Sequence, residues 1–320
     1  MPYRIAMLGT GEFALPAFRA IADSSHALVG LVTQPDRFDA RGRMHQNVMK
    51  EFAVARGIPV LQPVNINTEE SLAPLRSLGA NLFMVAAYGQ ILSAEVIGVP
   101  PQGCYNLHAS LLPKYRGAAP IQYAVWKGEA ETGVSIFKIE PRLDAGPILA
   151  TLTTRILPRE TAGELEIRMA DLVAPVTLQF LRDLELGSLT GTMQDKSLVT
   201  KAPKLKKGFG AIDWSQTAPQ IDCQVRAMQP WPMPYAFLKI EGSPPLRVLI
   251  LEVTPEPYPD SSDHAPGTIV HNNGKSLRVK CADGSCQIER IQPVGKRPMA
   301  IAEFLRGNPA SPGSRFDPTE

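Results

Sequence analysis

Two hydrophobic periods alternate along the first third of the chain, and this limits what it can fold into. The runs YRIAMLG (Tyr3–Gly9), HALVGLVTQ (His26–Gln34), IPVLQP (Ile58–Pro63), ANLFMVAAYG (Ala80–Gly89) and GCYNLHAS (Gly103–Ser110) are apolar, β-prone and bounded by Gly, Pro or polar residues. Helical patterns lie between several of them, over Ala14–Ala22 and Val48–Arg56. Parallel strands need a crossover, usually helical, so this alternation predicts an α/β fold with a doubly wound, mostly parallel sheet. Such sheets bind ligands in the crevice beyond the carboxyl ends of their strands. Glu160–Leu184 predicts a long amphipathic helix, with Leu165, Met169, Leu172, Val176 and Phe180 recurring at helical spacing.

A break follows. LGSLTGTMQDKSLVTKAPKLKKGFG, ending at Gly210, is polar, basic and without helical period. We expect a first domain over 1–188, a linker over 189–209 and a second domain over 210–320. In the second, LRVLILEV, GTIVHN, SLRVKCA and SCQIERIQPV are short β-prone runs with turn signals, which predict a small β-barrel or sandwich. The closing NPASPGSRFDPTE is rich in Pro, Gly and Ser and is expected to be a flexible tail. A net charge of +2 in 320 residues excludes a generic polyanion binder. No apolar run reaches the ~20 residues that cross a bilayer, so no membrane association is expected. Cys104, Cys223, Cys281 and Cys286 form no Cys-x-x-Cys pair and the five histidines are scattered, so we expect reduced thiols, a cytoplasmic protein and no metal.

GTGEFA (Gly9–Ala14) fits a dinucleotide fingerprint, but the second strand closes on TQPDR without the clean acidic match, and a tight turn also needs small residues. GTIVHNNGKS has six residues between its glycines where a phosphate loop needs four. The stronger signal is NLHASLLPKYRG. In a strand, a period of two puts Asn106 and His108 on one face, and Pro113 must end the pairing soon after. An amide and an imidazole therefore stand side by side where such sheets hold ligands. RLDAGPIL supplies a carboxylate, Asp144, in a loop shaped by Gly146-Pro147; near His108 it would fix the ring's orientation. No covalent nucleophile accompanies the three, since Ser110 lacks a supporting elbow. The set suits direct acyl transfer: an external amine attacks, Asn106 and protonated His108 stabilise the tetrahedral oxyanion, and Asp144 helps move the amine proton.

Asn106–Leu149 resembles the signature region of the folate-dependent formyltransferases, with VTQPDR and AAYGQIL upstream and IDWS, RAMQPWPMPYA, PGTI and IQPVGKRPM downstream. The resemblance spans almost the whole chain and implies a Rossmann-like formyltransferase domain followed by an OB-like β-barrel that helps hold tRNA. It implies transfer of the formyl group of 10-formyltetrahydrofolate, as cosubstrate, to the amino group of methionyl initiator tRNA; separately, a monomer is expected. By residue, it assigns Asn106, His108 and Asp144 to catalysis and Ser110, Leu111, Leu112 and Pro113 to a folate loop. Tyr88, Gly89, Gln90, Ile91 and Leu92 would lie beside the pteridine, with Ile91 and Leu92 as apolar wall. Arg41 and Arg43, in a loop after the second strand, and Lys204, Lys206 and Lys207 are the candidate tRNA contacts, with solvated surface charge as their plainer reading. The chain departs from the family pattern at Ala145 and Pro147, at Gly208–Ala211, and at Met44–Gln46, where lysines are usual. An amino sugar nucleotide as acceptor, or a folate-binding module without activity, are the alternatives.

Overall fold

The computed structural model describes residues 2–36, 42, 47–258 and 264–319. In chain order the first elements are β1 (Arg4–Gly9), α1 (Leu15–Ala22), β2 (Ala27–Val32), α2 (Val48–Ala55), β3 (Val60–Leu61), α3 (Glu69–Ser77), β4 (Leu82–Ala86), α4 (Ala94–Ile97) and β5 (Cys104–His108). Then follow β6 (Arg116–Gly117), α5 (Pro120–Trp126), β7 (Glu131–Lys138), β8 (Ile148–Arg155), α6 (Ala162–Leu186) and β9 (Lys201–Ala202). The remainder is α7 (Ala218–Ala227), β10 (Tyr235–Lys239), β11 (Leu246–Glu256), β12 (Ile269–Asn272), β13 (Leu277–Lys280), β14 (Ser285–Pro293), β15 (Met299–Ala300), α8 (Ile301–Gly307) and β16 (Arg315–Asp317). The chain divides into two compact units: Met1–Pro120, Glu131–Arg155 and Leu165–Lys204 form one, and Ile121–Ala130, Ile156–Glu164 and Leu205–Glu320 the other.

The first unit is built on a sheet of order β3-β2-β1-β4-β5-β7-β8. The pairs from β3 to β5 are parallel, and β7 and β8 add an antiparallel edge. The predicted doubly wound, mostly parallel sheet is therefore what forms. Its strands are apolar throughout because both faces are covered: in β4 every residue from Leu82 to Ala86 is buried. One face carries Leu8, Val32, Ile66, Leu72, Phe83, Val85 and Val96 as a single core. The fully buried positions on α6 include Leu165, Met169, Val173, Thr177, Phe180 and Leu181, and Phe180 meets the Tyr105 ring edge-on at 5.0 Å. The buried stripe advances by four residues per turn, leaving the expected Leu172 and Val176 only half covered.

The stretch expected as a linker carries structure of its own. Thr192 exchanges both backbone hydrogen bonds with Ile148 at the start of β8, and β9 runs parallel to β6, Arg116 opposite Lys201 and Gly117 opposite Ala202.

The second unit holds an antiparallel sheet of order β12-β13-β14-β11-β10-β16, with β15 on β14. It closes on itself: Ile269 N–H donates to Ser314 O and Phe316 N–H to Gly267 O, both at 2.8 Å, and Thr268 bridges Arg315. This is the expected OB-like barrel, and its filling includes Val248, Ile250, Val279, Ile288 and Ile291. The tail expected to be flexible supplies the closing strand instead. Phe316 is fully buried, so its apolar surface, worth about 2–3 kcal/mol on burial, outweighs the permissive composition around it. Among the described residues no helix is long and apolar enough to cross a membrane, and no cluster of His, Cys, Asp and Glu could hold a metal ion.

Candidate active site

Asn106 and His108 sit at the carboxyl end of β5, two residues apart and so on one face. Asn106 lies between Val85 of β4 and Phe137 of β7, and His108 is opposite Ser135. The two differ in how they are held. His108 is only 5% exposed; its ring meets Phe137 edge-on and places Nε2 2.9 Å from the Tyr115 carbonyl oxygen. A carbonyl can only accept, so Nε2 carries the proton, and Nδ1 is the ring nitrogen left for chemistry. The half-buried Asn106 amide makes no hydrogen bond among the described residues. A half-buried amide without an internal partner suits a ligand contact, because burial without a bond costs free energy that a ligand would recover.

Asp144 lies in the connection between β7 and β8, with φ 48° in the left-handed region. Its Oδ2 accepts from Gly117 N–H at 2.8 Å, while Oδ1 makes no hydrogen bond among the described residues. The orientation of His108 therefore comes from Tyr115 O; the contact expected from Asp144 is replaced by a connection through backbone. Tyr115 O and Gly117 N–H belong to one tripeptide, so imidazole and carboxylate are tied to the same short segment. That segment is constrained at each residue. Tyr115 is left-handed at φ 62°, and its N–H donates to Thr200 Oγ1 at 2.8 Å. Arg116 N–H donates to Thr200 O at 3.0 Å. Gly117 has φ 128°, and a Cβ there would lie 2.4 Å from Ala202 O, so only glycine fits. Such conformations cost about 1–3 kcal/mol each and persist where surrounding bonds over-determine them.

The candidate folate loop is a tight turn. Ser110 is fully buried; its N–H donates to His108 O at 2.9 Å and its Oγ to Lys114 O at 2.7 Å. Ser135 Oγ joins the turn to β7, donating to Ser110 O at 2.7 Å and accepting from Leu112 N–H at 3.0 Å. Leu111 and Pro113 stay half-exposed. Residues 88–92 follow the neighbouring strand β4. Their backbone is pinned from outside, with Gln34 Nε2 on Tyr88 O at 2.8 Å and Asn67 Nδ2 on Ile91 O at 2.9 Å. Gln90 accepts from Ile66 N–H and donates to Pro63 O. Within the group the side chains diverge. Ile91 is 71% exposed and free to wall a ligand, whereas the Tyr88 and Leu92 side chains belong to the core. The Tyr88 hydroxyl is buried with no hydrogen-bond partner among the described residues, and burial pushes its pKa well up.

Of the candidate tRNA contacts, Lys204, Lys206 and Lys207 are exposed, and Arg41 and Arg43 lie outside the described residues. Sequence pattern alone does not single out the residues that hold the site together: Tyr115, Arg116, Gly117, Gln194 and Thr200. Tyr115, Arg116 and Gly117 do stand in NLHASLLPKYRG, and the glycine directly after a basic residue is the available signal.

Residues 3–180 match the family described as formyl transferase, and 204–309 match the formyl transferase C-terminal domain. Methionyl-tRNA formyltransferase from Rhodopirellula baltica is 40% identical over 325 residues, covering 98% of this chain and 96% of that one. An N-formyltransferase from Helicobacter canadensis, in complex with folinic acid and dTDP-3-aminofucose, superposes with a TM-score of 0.65 at 16% identity, over 91% of this chain and 99% of that one. HypX from Aquifex aeolicus, in complex with tetrahydrofolic acid, gives 0.60 at 16% identity over 95% of this chain, which spans 47% of that longer one. These two likenesses establish the fold.

Proposed function

The chain belongs to the formyl transferase family, and we propose that it transfers the formyl group of 10-formyltetrahydrofolate to the amino group of methionyl initiator tRNA. For the acceptor, the supporting observation is 40% identity across nearly the full length of a methionyl-tRNA formyltransferase. For the chemistry, it is the unpartnered Asn106 amide beside a histidine whose Nε2 is already engaged. A folate donor agrees with the two structural neighbours that hold folates. The open polar atoms fit a formyl group between two donors: a carbonyl oxygen needs N–H groups, and Asn106 Nδ2 and a protonated His108 Nδ1 supply them.

The acceptor amine attacks the formyl carbon, a new N–C bond forms, and the carbonyl oxygen gathers negative charge in a tetrahedral intermediate. Asn106 and His108 donate to that oxygen. Fixed donors of this kind contribute about 3–4 kcal/mol each to transition-state stabilisation. Asp144, held through Oδ2, has Oδ1 to take the amine proton directly or through water. Collapse breaks the bond to the folate nitrogen, which receives a proton in turn. Ser110, Leu111, Leu112 and Pro113, with Ile91 from the neighbouring strand end, are the proposed folate contacts. Lys204, Lys206, Lys207, Arg41 and Arg43 are the proposed contacts to tRNA phosphates. We also propose a monomer working in the cytoplasm, where initiator tRNA is charged and used. An amino sugar acceptor has only fold-level likeness in its favour.

The test is direct. Incubation with 10-formyltetrahydrofolate and methionyl initiator tRNA, followed by hydrolysis of the ester, should yield N-formylmethionine. Its absence, with the folate donor intact, would overturn the proposal.

A further inference from the structure

Gln194 lies in the segment after α6, far in sequence from the three candidate catalytic residues. It is 9% exposed, and its amide is fully used. Nε2 donates to Asp144 O at 2.9 Å and to Gly146 O at 2.8 Å. Oε1 accepts from Arg116 Nε at 3.1 Å and Nη2 at 2.7 Å. The first pair closes both ends of Asp144-Ala145-Gly146 on one NH₂ group. The second fixes Arg116, the middle residue of the tripeptide whose flanking atoms hold His108 and Asp144. The geometry points to Gln194 as a positioning residue: one buried amide sets the carboxylate of Asp144 against the segment that orients His108.

Three observations support this. The turn it grips is one the chain does not adopt readily: Asp144 is left-handed at φ 48°, and a Cβ on Gly146 would fall 1.9 Å from Lys138 O. Gln194 is itself firmly mounted, between the Thr192–Ile148 bridge and the β9–β6 pairing. The donor pattern also fits an amide and no other common side chain of this length. Two carbonyls need two N–H groups, and a guanidinium fork needs an acceptor. Glutamate would satisfy Arg116 but set an oxygen against two carbonyl oxygens; lysine would do the reverse. Arg116 is partly buried; burial lowers its pKa, and the charge of Asp144 opposes that shift.

The inference rests on the proposed chemistry of Asp144, and the experiment separates the two. Gln194→Glu keeps size and the Arg116 contact while removing both donors to the turn; Gln194→Met removes every polar contact. Both are assayed in the full chain beside wild type, Asp144→Asn and the double variant Asp144→Asn/Gln194→Glu. Misplacement of a reacting group by about 1 Å costs about 100-fold, so kcat should fall roughly 10- to 100-fold in each single Gln194 variant. KM for folate and for acceptor should stay within about threefold. In the Asp144→Asn background, Gln194→Glu should add less than about threefold, since its effect runs through the missing carboxylate.

Full additivity in the double variant would overturn the inference, as would an unchanged kcat in folded Gln194→Glu. A rise in acceptor KM with kcat intact would make Gln194 a substrate contact instead, and failure of both single variants to fold would make it a folding residue. Wild type is offered both methionyl initiator tRNA and an amino sugar nucleotide. If it uses only the sugar, the proposed acceptor fails while the Gln194 test runs on that acceptor with the same expected outcome.

Discussion

Replacing Gly117 with alanine should separate catalysis from folding, and its size follows from two distances. The added Cβ would meet Ala202 O at 2.4 Å, whereas ordinary contact begins near 3.4 Å, so Gly117 must retreat by about 1 Å (3.4 − 2.4). The φ of 128° adds strain of about 1–3 kcal/mol for any residue with a Cβ. Retreat breaks the 2.8 Å bond from Gly117 N–H to Asp144 Oδ2, a bond to a charged group worth about 1.5–3 kcal/mol. It also drags Tyr115 O, the acceptor that orients His108. A displacement of this size predicts a fall in kcat of about 100-fold. Gly187→Ala is the control, because Gly187 also has positive φ, at 67°, but nothing lies within 4 Å of its added Cβ. Single-turnover formylation under saturating folate, read beside thermal unfolding, distinguishes the two. Both variants should lose stability, and only Gly117→Ala should lose turnover. A Gly117→Ala enzyme with kcat within about threefold of wild type would refute the claim that this tripeptide positions His108 and Asp144.

Three further outcomes are expected. His108→Ala should lower kcat by about 10²- to 10⁴-fold and Asn106→Leu by about 10²- to 10³-fold, with folate KM changing far less, as measured by steady-state kinetics. Arg41→Ala should weaken use of tRNA, reducing the slope of log(kcat/KM) against log salt by about 1 while leaving kcat at saturating tRNA unchanged. Burial holds the His26 imidazole below its usual pKa, and Tyr3 N–H donates to its Nδ1 at 3.1 Å. The folded state therefore takes up this proton at lower pH than the unfolded chain. Its contribution to stability is complete above about pH 6.5 and is lost as pH falls through the lowered folded value. Melting midpoints at about pH 7.5 and 5.5 should differ less in His26→Gln than in wild type.

What could be read in the sequence was what local period encodes. The strands from β1 to β5 announce themselves because each is a continuous apolar run between breakers, and Asn106 and His108 follow from the two-residue period of β5. Asp144 stood out as an acid beside Gly146-Pro147. What stayed hidden depends on pairing across distance. Gln194 reaches Asp144 and Gly146 across 50 and 48 positions, and Thr200 reaches Tyr115 across 85. Each acts on a backbone atom, which leaves no pattern of residue types to find. Tyr88 shows the converse: its motif placed it beside the ligand, but its ring completes the core and only its backbone faces the Gln34 amide. The strand β16 was obscured because Phe316 is a single apolar residue in a Pro- and Gly-rich stretch, and it gains its burial only by pairing with β10 far back in the sequence.

The most direct test of the account is a competition between acceptors. Wild-type protein is given 10-formyltetrahydrofolate with methionyl initiator tRNA and an amino sugar nucleotide together, and formyl transfer to each is counted by mass spectrometry. The account predicts formylmethionyl-tRNA as the dominant product, lost in His108→Ala. Formyl transfer to the sugar alone, or formylmethionyl-tRNA made equally well by His108→Ala, would contradict it.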